Sequence, residues 1–312
     1  MQVQFIDDKE FIQYKFKTKP YKHQYKAFLK CKDKESYALF MEQGTGKSKV
    51  VIDNIAYLYR NGKIDTAIIA APKGVYRNWL GSEFNTHMPD DVKEFSEIQV
   101  WSPTETKTNV DNLVNFLKPN HKLKFFIINI EALSTDKGKN YLHRLLNSGK
   151  CFFCIDESTN IKNRTARRTK AALKLGRLAK YRRILTGTPV TQGPLDLWSQ
   201  VNFLDEYILQ NSFYAYRNTF CVMRRRRVST HSFDEIVGYQ RLDQLQAILD
   251  KHSFRVTKEE CLDLPPKIKQ IRQIDMTPAQ KLMYTQLKKR AILELEQEKL
   301  VTAPLIITRI LR

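Results

Sequence analysis

The sequence contains no long apolar segment, no basic amphipathic helix, no evident secretory signal, no internal repeat and no low-complexity stretch. The first two absences argue against a membrane as partner. Acidic residues are few: 33 Asp and Glu face 53 Lys and Arg, a formal charge of +20. That imbalance calls for a polyanion, and with the membrane set aside, nucleic acid is the better candidate. Cysteine is also sparse. The five (Cys31, Cys151, Cys154, Cys221, Cys261) are an odd number in a chain without a secretory signal, which argues against a disulfide framework and for a reducing cytoplasm. Cys151 and Cys154 form a CxxC with no second pair nearby. They sit in the strand-like run CFFCI, where residues three apart face opposite sides, so a shared zinc ion is not expected.

What is present is a core. Hydrophobic residues make up 42% and aromatics 11% of 312 residues, which excludes a disordered basic tail. From Ser36 to Thr186, short apolar runs alternate with helical patterns, as in a parallel sheet covered by helices on both faces. SYALFM (Ser36 to Met41), TAIIAA (Thr66 to Ala71), FFIIN (Phe125 to Asn129), CFFCID (Cys151 to Asp156) and RRILT (Arg182 to Thr186) read as strands, with IQVW (Ile98 to Trp101) as a candidate sixth. Val51, Ile55 and Leu58 keep helical spacing before an Asn61-Gly62 stop, and Val110, Leu113, Val114 and Leu117 do likewise. These patterns predict an α/β lobe over residues 1–204, a basic helical connector over 205–265 with a break at Leu264 to Pro266, and a last segment, 266–312. That last segment holds a long helix with Thr277 as N-cap and Pro278 at its first position.

The strand SYALFM runs into Glu42-Gln43-Gly44-Thr45-Gly46-Lys47-Ser48 and then into a helix. Glycines there let successive N–H groups turn inward, and the helix N-terminus adds unpaired donors and the positive end of its dipole, which together suit phosphate. Lys47 would reach the β- and γ-phosphates of ATP and Ser48 would ligate Mg²⁺. Met41 stands where the full phosphate-loop pattern has its first glycine. Asp156 and Glu157 end the most apolar strand and so fall at the carboxyl edge of the sheet, where α/β proteins bind ligands. Asp156 would hold Mg²⁺ and Glu157 would orient or deprotonate the attacking water.

With their neighbours, these elements resemble superfamily-two helicases, more narrowly the Snf-type group of double-stranded DNA translocases and its phage members. The resemblance implies a RecA-like lobe. It begins at KPYKHQ (Lys19 to Gln24), where Gln24 looks like the family's adenine-reading glutamine. APKGVYRNW (Ala71 to Trp79) with Glu83-Phe84 looks like motif Ia, and INIEAL (Ile128 to Leu133) like motif Ib. The resemblance thereby sets Pro72, Lys73 and Asn129 along the nucleic-acid track. DEST (Asp156 to Thr159) stands where relatives have DEAH or DEGH, and Lys162-Asn163 follows at the family's spacing. LTGTPV (Leu185 to Val190) resembles motif III, whose Thr186 and Thr188 hydroxyls would link nucleotide to nucleic acid, and DLWSQVNFL (Asp196 to Leu204) extends the match. FRVTKEECLDLPPK (Phe254 to Lys267) and TPAQKLMYTQL resemble the lead-in to a second RecA-like lobe. The later motifs of the family are not among these residues, so the sequence is expected to be a first lobe, in a bacterial or phage-infected cell.

Several readings stay open at this level. Trp79 and Trp198 are core aromatics or base-stacking platforms. Arg224, Arg225, Arg226 and Arg227 form a solvated basic face, a phosphate-contact strip or a nuclear signal. The chain reads as the ATP-binding part of a DNA translocase or helicase, or as a restriction-translocase subunit, or as a non-catalytic nucleic-acid-binding module that ATP switches. Duplex or branched DNA fits the resemblance better than RNA, and no base-reading module appears.

Overall fold

The protein is described by a computed structural model covering residues 5–104, 106–228, 231–261, 270 and 272–297. Residues 1–264 make one compact unit and 265–312 another. In the first, seven parallel strands form a single sheet: β1 (Ser36–Met41), β2 (Thr66–Ala71), β3 (Ser96–Val100), β4 (Leu123–Asn129), β5 (Cys151–Asp156), β6 (Tyr181–Leu185) and, last in the sheet, β9 (Ser253–Val256). Their order is β3-β4-β2-β5-β6-β1-β9. Because β1, β2, β4 and β5 are buried on both faces, their apolar runs are continuous and alternate residues fill two separate cores. Leu39, Ile69, Phe125, Phe152 and Cys154 join one core. Phe40, Ile68, Phe126, Phe153 and Cys151 join the other. The CxxC cysteines therefore lie on opposite faces of β5, as their spacing predicts.

On the first face, Val51, Ile55 and Leu58 of the helix Lys47–Arg60 meet Ala27, Phe28 and Cys31 of the helix Lys22–Cys31. Asn61 caps the former and Gly62 turns away at φ 62°, the predicted stop. The helices Lys107–Leu117, Asp136–Leu146, Arg167–Gly176 and Asp196–Leu204 cover the second face. Here one expectation shifts. The helix Lys107–Leu117 forms, but it buries Phe116, while Val110 and Val114 stay exposed beside Trp101 and Tyr141 along an open groove.

The larger differences fall after Leu204. The segment expected to be a helical connector is helical only in part, at Phe213–Phe220, Leu242–His252 and the short Lys258–Cys261. Its four arginines lie on β7 (Cys221–Val228), paired antiparallel with β8 (His231–Tyr239), and the chain then re-enters the main sheet as β9 beside β1. Arginines masked the strand period in β7. In β9 only Phe254 and Val256 flank an exposed Arg255, too short a run to stand out. The break at Leu264 to Pro266 lies outside the described residues, as does most of the lead-in after Cys261. In the second unit the helix Pro278–Gln297 starts as its sequence predicts: the Gln280 N–H donates to Thr277 Oγ1 at 3.3 Å and the Thr277 N–H donates to Gln280 Oε1 at 3.1 Å.

One buried charge ties this frame together. Arg183, in mid-sheet on β6, is wholly buried. Its guanidinium donates to Asn54 Oδ1 (3.2 Å) and to the carbonyls of Cys31 (2.7 Å), Lys34 (2.7 Å), Glu35 (3.1 Å) and Arg182 (2.8 Å). It thereby pins the end of the helix Lys22–Cys31 to the start of β1. Arg183→Ala removes five hydrogen bonds and leaves a cavity in the core, so it should destabilise the unit by on the order of 3 kcal/mol or more. Urea denaturation followed by circular dichroism checks this.

Candidate active site

All seven strands point the same way, so their carboxyl ends share one edge, and the order β5-β6-β1 sets the acidic pair two strands from the glycine loop. At the end of β1 the chain turns through Gly44 (φ 80°) and Gly46 (φ 86°), backbone angles that L side chains seldom adopt. Gly46 is doubly constrained, since a Cβ there would come within 2.2 Å of Gln24 Nε2. The helix Lys47–Arg60 starts at once, aiming its first N–H groups into the loop. Lys47 Nζ donates to Met41 O at 3.0 Å and lies 4.0 Å from Glu157 Oε1. Met41 itself is buried, which explains a large apolar residue where other phosphate loops begin with glycine.

The loop is held from three sides. From the helix Lys22–Cys31, Gln24 Nε2 and His23 Nε2 both reach Thr45 O, at 3.1 and 2.8 Å. Gln24 Oε1 accepts from the Tyr21 N–H at 3.1 Å, so this glutamine is buried behind the loop with both ends of its amide engaged. The Thr45 hydroxyl donates to Glu42 O at 2.7 Å. From β9, Val256 O accepts the Glu42 N–H at 3.0 Å, and the Lys258 N–H donates to Glu42 Oε2 at 2.9 Å. From the end of β6, Gly187 packs so closely that a Cβ would lie 3.2 Å from Glu42 Cα and 3.3 Å from Gln43 N.

Asp156 and Glu157 face this loop. Glu157 has a left-handed backbone (φ 49°, ψ 61°), rare for a non-glycine residue and typical of functional turns. Its N–H donates to Asp156 Oδ1 at 2.9 Å, and its Oε2 accepts from the Thr186 hydroxyl at 3.3 Å. Thr186 Oγ1 accepts in turn from the Thr188 N–H at 3.2 Å. Motif III is thus wired to the acidic pair through Thr186, with Thr188 contributing its backbone. Ser158, one of the departures from the DEAH pattern, makes a second link. Its hydroxyl bonds Gln200 Oε1 at 2.7 Å, and Gln200 Nε2 donates to Pro189 O at 2.7 Å.

The sequence reading missed two side chains. The indole N–H of Trp79 donates to Asp156 Oδ2 at 3.0 Å, and the carboxylate of Glu83 lines the same cleft as Ser48. The buried setting raises the Asp156 carboxyl above its usual range, with the neighbouring Glu157 charge adding to this and the Trp79 bond opposing it. Burial likewise raises Glu83. Gln43, Gly44, Gly46, Lys47, Ser48, Pro72, Trp79, Glu83, Asp156 and Glu157 line one cleft of about 510 Å³, within the range of small-ligand sites. A serine hydroxyl and carboxylates are hard oxygen donors of the kind Mg²⁺ takes, and the N–H cradle suits phosphate, so the residues present fit a magnesium nucleotide.

The remaining predicted residues lie elsewhere or at the rim. Pro72 lines the cleft, while the Lys73 N–H and Asn129 Nδ2 both approach the Glu131 carboxylate, at 3.5 and 3.1 Å, on the adjoining stretch of the same edge. Trp198 is partly buried, its N–H bonded to Gln210 O at 2.9 Å. Arg224 to Arg227 stand exposed on the hairpin and take no part in the cleft.

A family model described as the SNF2-related domain matches residues 22–312. A human relative, SWI/SNF-related matrix-associated actin-dependent regulator of chromatin subfamily A containing DEAD/H box 1, is 26% identical over 256 residues, 78% of this chain and 22% of its own length. An Arabidopsis thaliana relative, probable ATP-dependent DNA helicase CHR12, is 29% identical over 249 residues, 78% of this chain and 21% of its own. The chain thus spans about a fifth of these relatives. The solved Sulfolobus solfataricus SWI2/SNF2 ATPase core in complex with dsDNA superposes with a TM-score of 0.59 at 21% identity, over 93% of this chain and 56% of that one, so the fold is that of an SNF2 ATPase core lobe. On the match across residues 22–312, the chain belongs to the SNF2-related domain family.

Proposed function

We propose that this chain is the ATP-binding lobe of a DNA translocase driven by ATP hydrolysis. The observation that carries the reading is the meeting of Lys47, Ser48, Asp156, Glu157 and Thr186 at one sheet edge. Lys47 would bind the β- and γ-phosphates, Gly44 to Ser48 would cradle them with N–H groups, and Ser48 and Asp156 would hold Mg²⁺. Bound Mg²⁺ supplies charge neutralisation on the phosphate oxygens. Glu157 would orient the attacking water and take its proton, and its bond to Thr186 gives motif III a direct hold on that carboxylate. Gln24 would reach the adenine edge by exchanging its present partners.

Duplex DNA as partner is supported by the formal charge of +20, by the bound duplex named for the archaeal neighbour, and by the hairpin. Arg224 and Arg226 share one face of β7, and Arg225 and Arg227 the other. Arg226 is paired with Glu235 at 3.2 Å. Pro72, Lys73, Asn129 and Thr188 extend the proposed track along the carboxyl edge. A cytoplasmic setting suits the five free cysteines, four of them buried. Among the described residues lining the cleft, Lys47 is the one lysine or arginine. The charge that develops on a transferred phosphoryl calls for further cations, so these 312 residues alone are expected to bind ATP and turn it over slowly. That same feature favours the second reading, a module for which ATP is a ligand switch.

Three measurements test this. Lys47→Ala should weaken binding of a slowly hydrolysed ATP analogue on the order of 30-fold by calorimetry, about 2 kcal/mol for lost charge-assisted bonds. Unchanged affinity would remove the site. In a longer form that hydrolyses ATP, Glu157→Gln should leave binding intact and lower kcat by about 100-fold or more, since the amide is a far poorer base. The switch reading instead requires that no longer form shows DNA-stimulated phosphate release. Replacing all four hairpin arginines by alanine should lower the slope of log affinity against log salt for duplex DNA by about 2, because one strand face meets a phosphate backbone at a time and each lost contact removes about 0.9. An unaltered slope would take the hairpin off the DNA track.

A further inference from the structure

Residues Trp79–Phe84 wind as a π-helical turn, a wide form that is rare and frequent at functional sites. The family resemblance set this segment beside the nucleic acid, yet two of its side chains enter the ATP cleft, four residues apart and close to one π turn. Trp79 is 2% exposed, but its N–H is spent on a carboxylate across the cleft and not on a nearby carbonyl. With Glu157 N–H on Oδ1 and Trp79 N–H on Oδ2, both oxygens of Asp156 are held, each keeping a free lone pair. Ser48 poses a complementary requirement. A hydroxyl that gives a lone pair to a cation must donate its hydrogen elsewhere, and the Glu83 carboxylate, lining the same cleft, is available to accept it. Glu83, Asp156 and Glu157 also bring three carboxylates to a cleft with one ammonium group, an imbalance that a divalent cation corrects.

We propose that Trp79 and Glu83 are positioning residues for the divalent cation of the nucleotide site, Trp79 fixing the Asp156 carboxylate and Glu83 accepting the Ser48 hydroxyl hydrogen. The assignment rests on the ATP-binding reading above. Outer partners of this kind, when removed, lower metal affinity about 10- to 100-fold while the direct ligands remain.

The test uses the purified chain, a fluorescent ATP analogue and a Mg²⁺ titration, with binding in excess chelator measured alongside. Wild type, Trp79→Phe, Glu83→Gln and Glu83→Ala are compared. Glu83→Ala and Trp79→Phe should each raise the Mg²⁺ concentration at half-maximal binding by about tenfold or more, with chelator-phase affinity within about twofold of wild type. Glu83→Gln, whose amide oxygen still accepts a hydrogen bond, should fall between wild type and Glu83→Ala. The wild-type indole emission should change on adding Mg²⁺ with nucleotide, and Trp79→Phe should lack that change. If Trp79→Phe does not fold, the Glu83 pair and the wild-type emission decide. Unchanged Mg²⁺ midpoints in Glu83→Ala, or equal losses with and without metal, overturn the proposal and leave the ATP reading standing. A wild-type chain that binds no nucleotide overturns both.

Discussion

Strand β6 pairs in parallel with β5 on one side and β1 on the other, and the site depends on that placement. Parallel pairing sends the three chain ends to one edge, so the acidic pair, the motif III loop and the glycine loop arrive side by side. The approach of the last two is so close that a Cβ at Gly187 would sit 3.2 Å from Glu42 Cα, a tight fit against backbone. A side chain there would press the glycine loop away from the strand that leads into Thr186, whose hydroxyl bonds Glu157. Arg183, in the same strand, fixes the helix whose Gln24 and His23 support the loop from behind. A single strand thereby registers the cradle, the carboxylates and the helix behind them.

Much of this was legible in the sequence because it is written in local chemistry. Strand interiors buried on both faces are mostly continuous apolar runs, and a loop that exposes N–H groups favours glycine, so β1, β2, β4, β5 and residues 44–48 announce themselves. Contacts made across the sequence leave no such trace. Trp79 reaches Asp156 over 77 positions and Lys258 reaches Glu42 over 216. Nothing in the spacing of either pair marks it. The hairpin was hidden for a different reason. Its cross-strand contacts include charged pairs such as Arg226 with Glu235, which lack the apolar alternation of a half-buried strand. β9 is four residues long and takes its place from β1, not from its own pattern.

The departures from the family's acidic motif also acquire a reason. Ser158 has no charge to place near the nucleotide. Its buried hydroxyl joins Gln200, which holds the backbone at Pro189 and Asp196. The acidic strand and the motif III loop are thus bridged twice, once at the Glu157 carboxylate through Thr186 and once beneath it through Gln200. Asp196 adds a further brace, accepting from the N–H groups of Thr191 and Gln192 at 2.9 and 2.8 Å.

The left-handed backbone of Glu157 bears on how this protein can evolve. A side chain there opposes its own backbone by roughly 1 kcal/mol, a strain that glycine would relieve and asparagine would ease. Selection for thermal robustness alone would therefore drift toward a quieter residue at this turn. A lineage that keeps glutamate retains a small, permanent handicap in folding, and random libraries screened for heat tolerance would be enriched in proteins that have lost the carboxylate proposed to activate water.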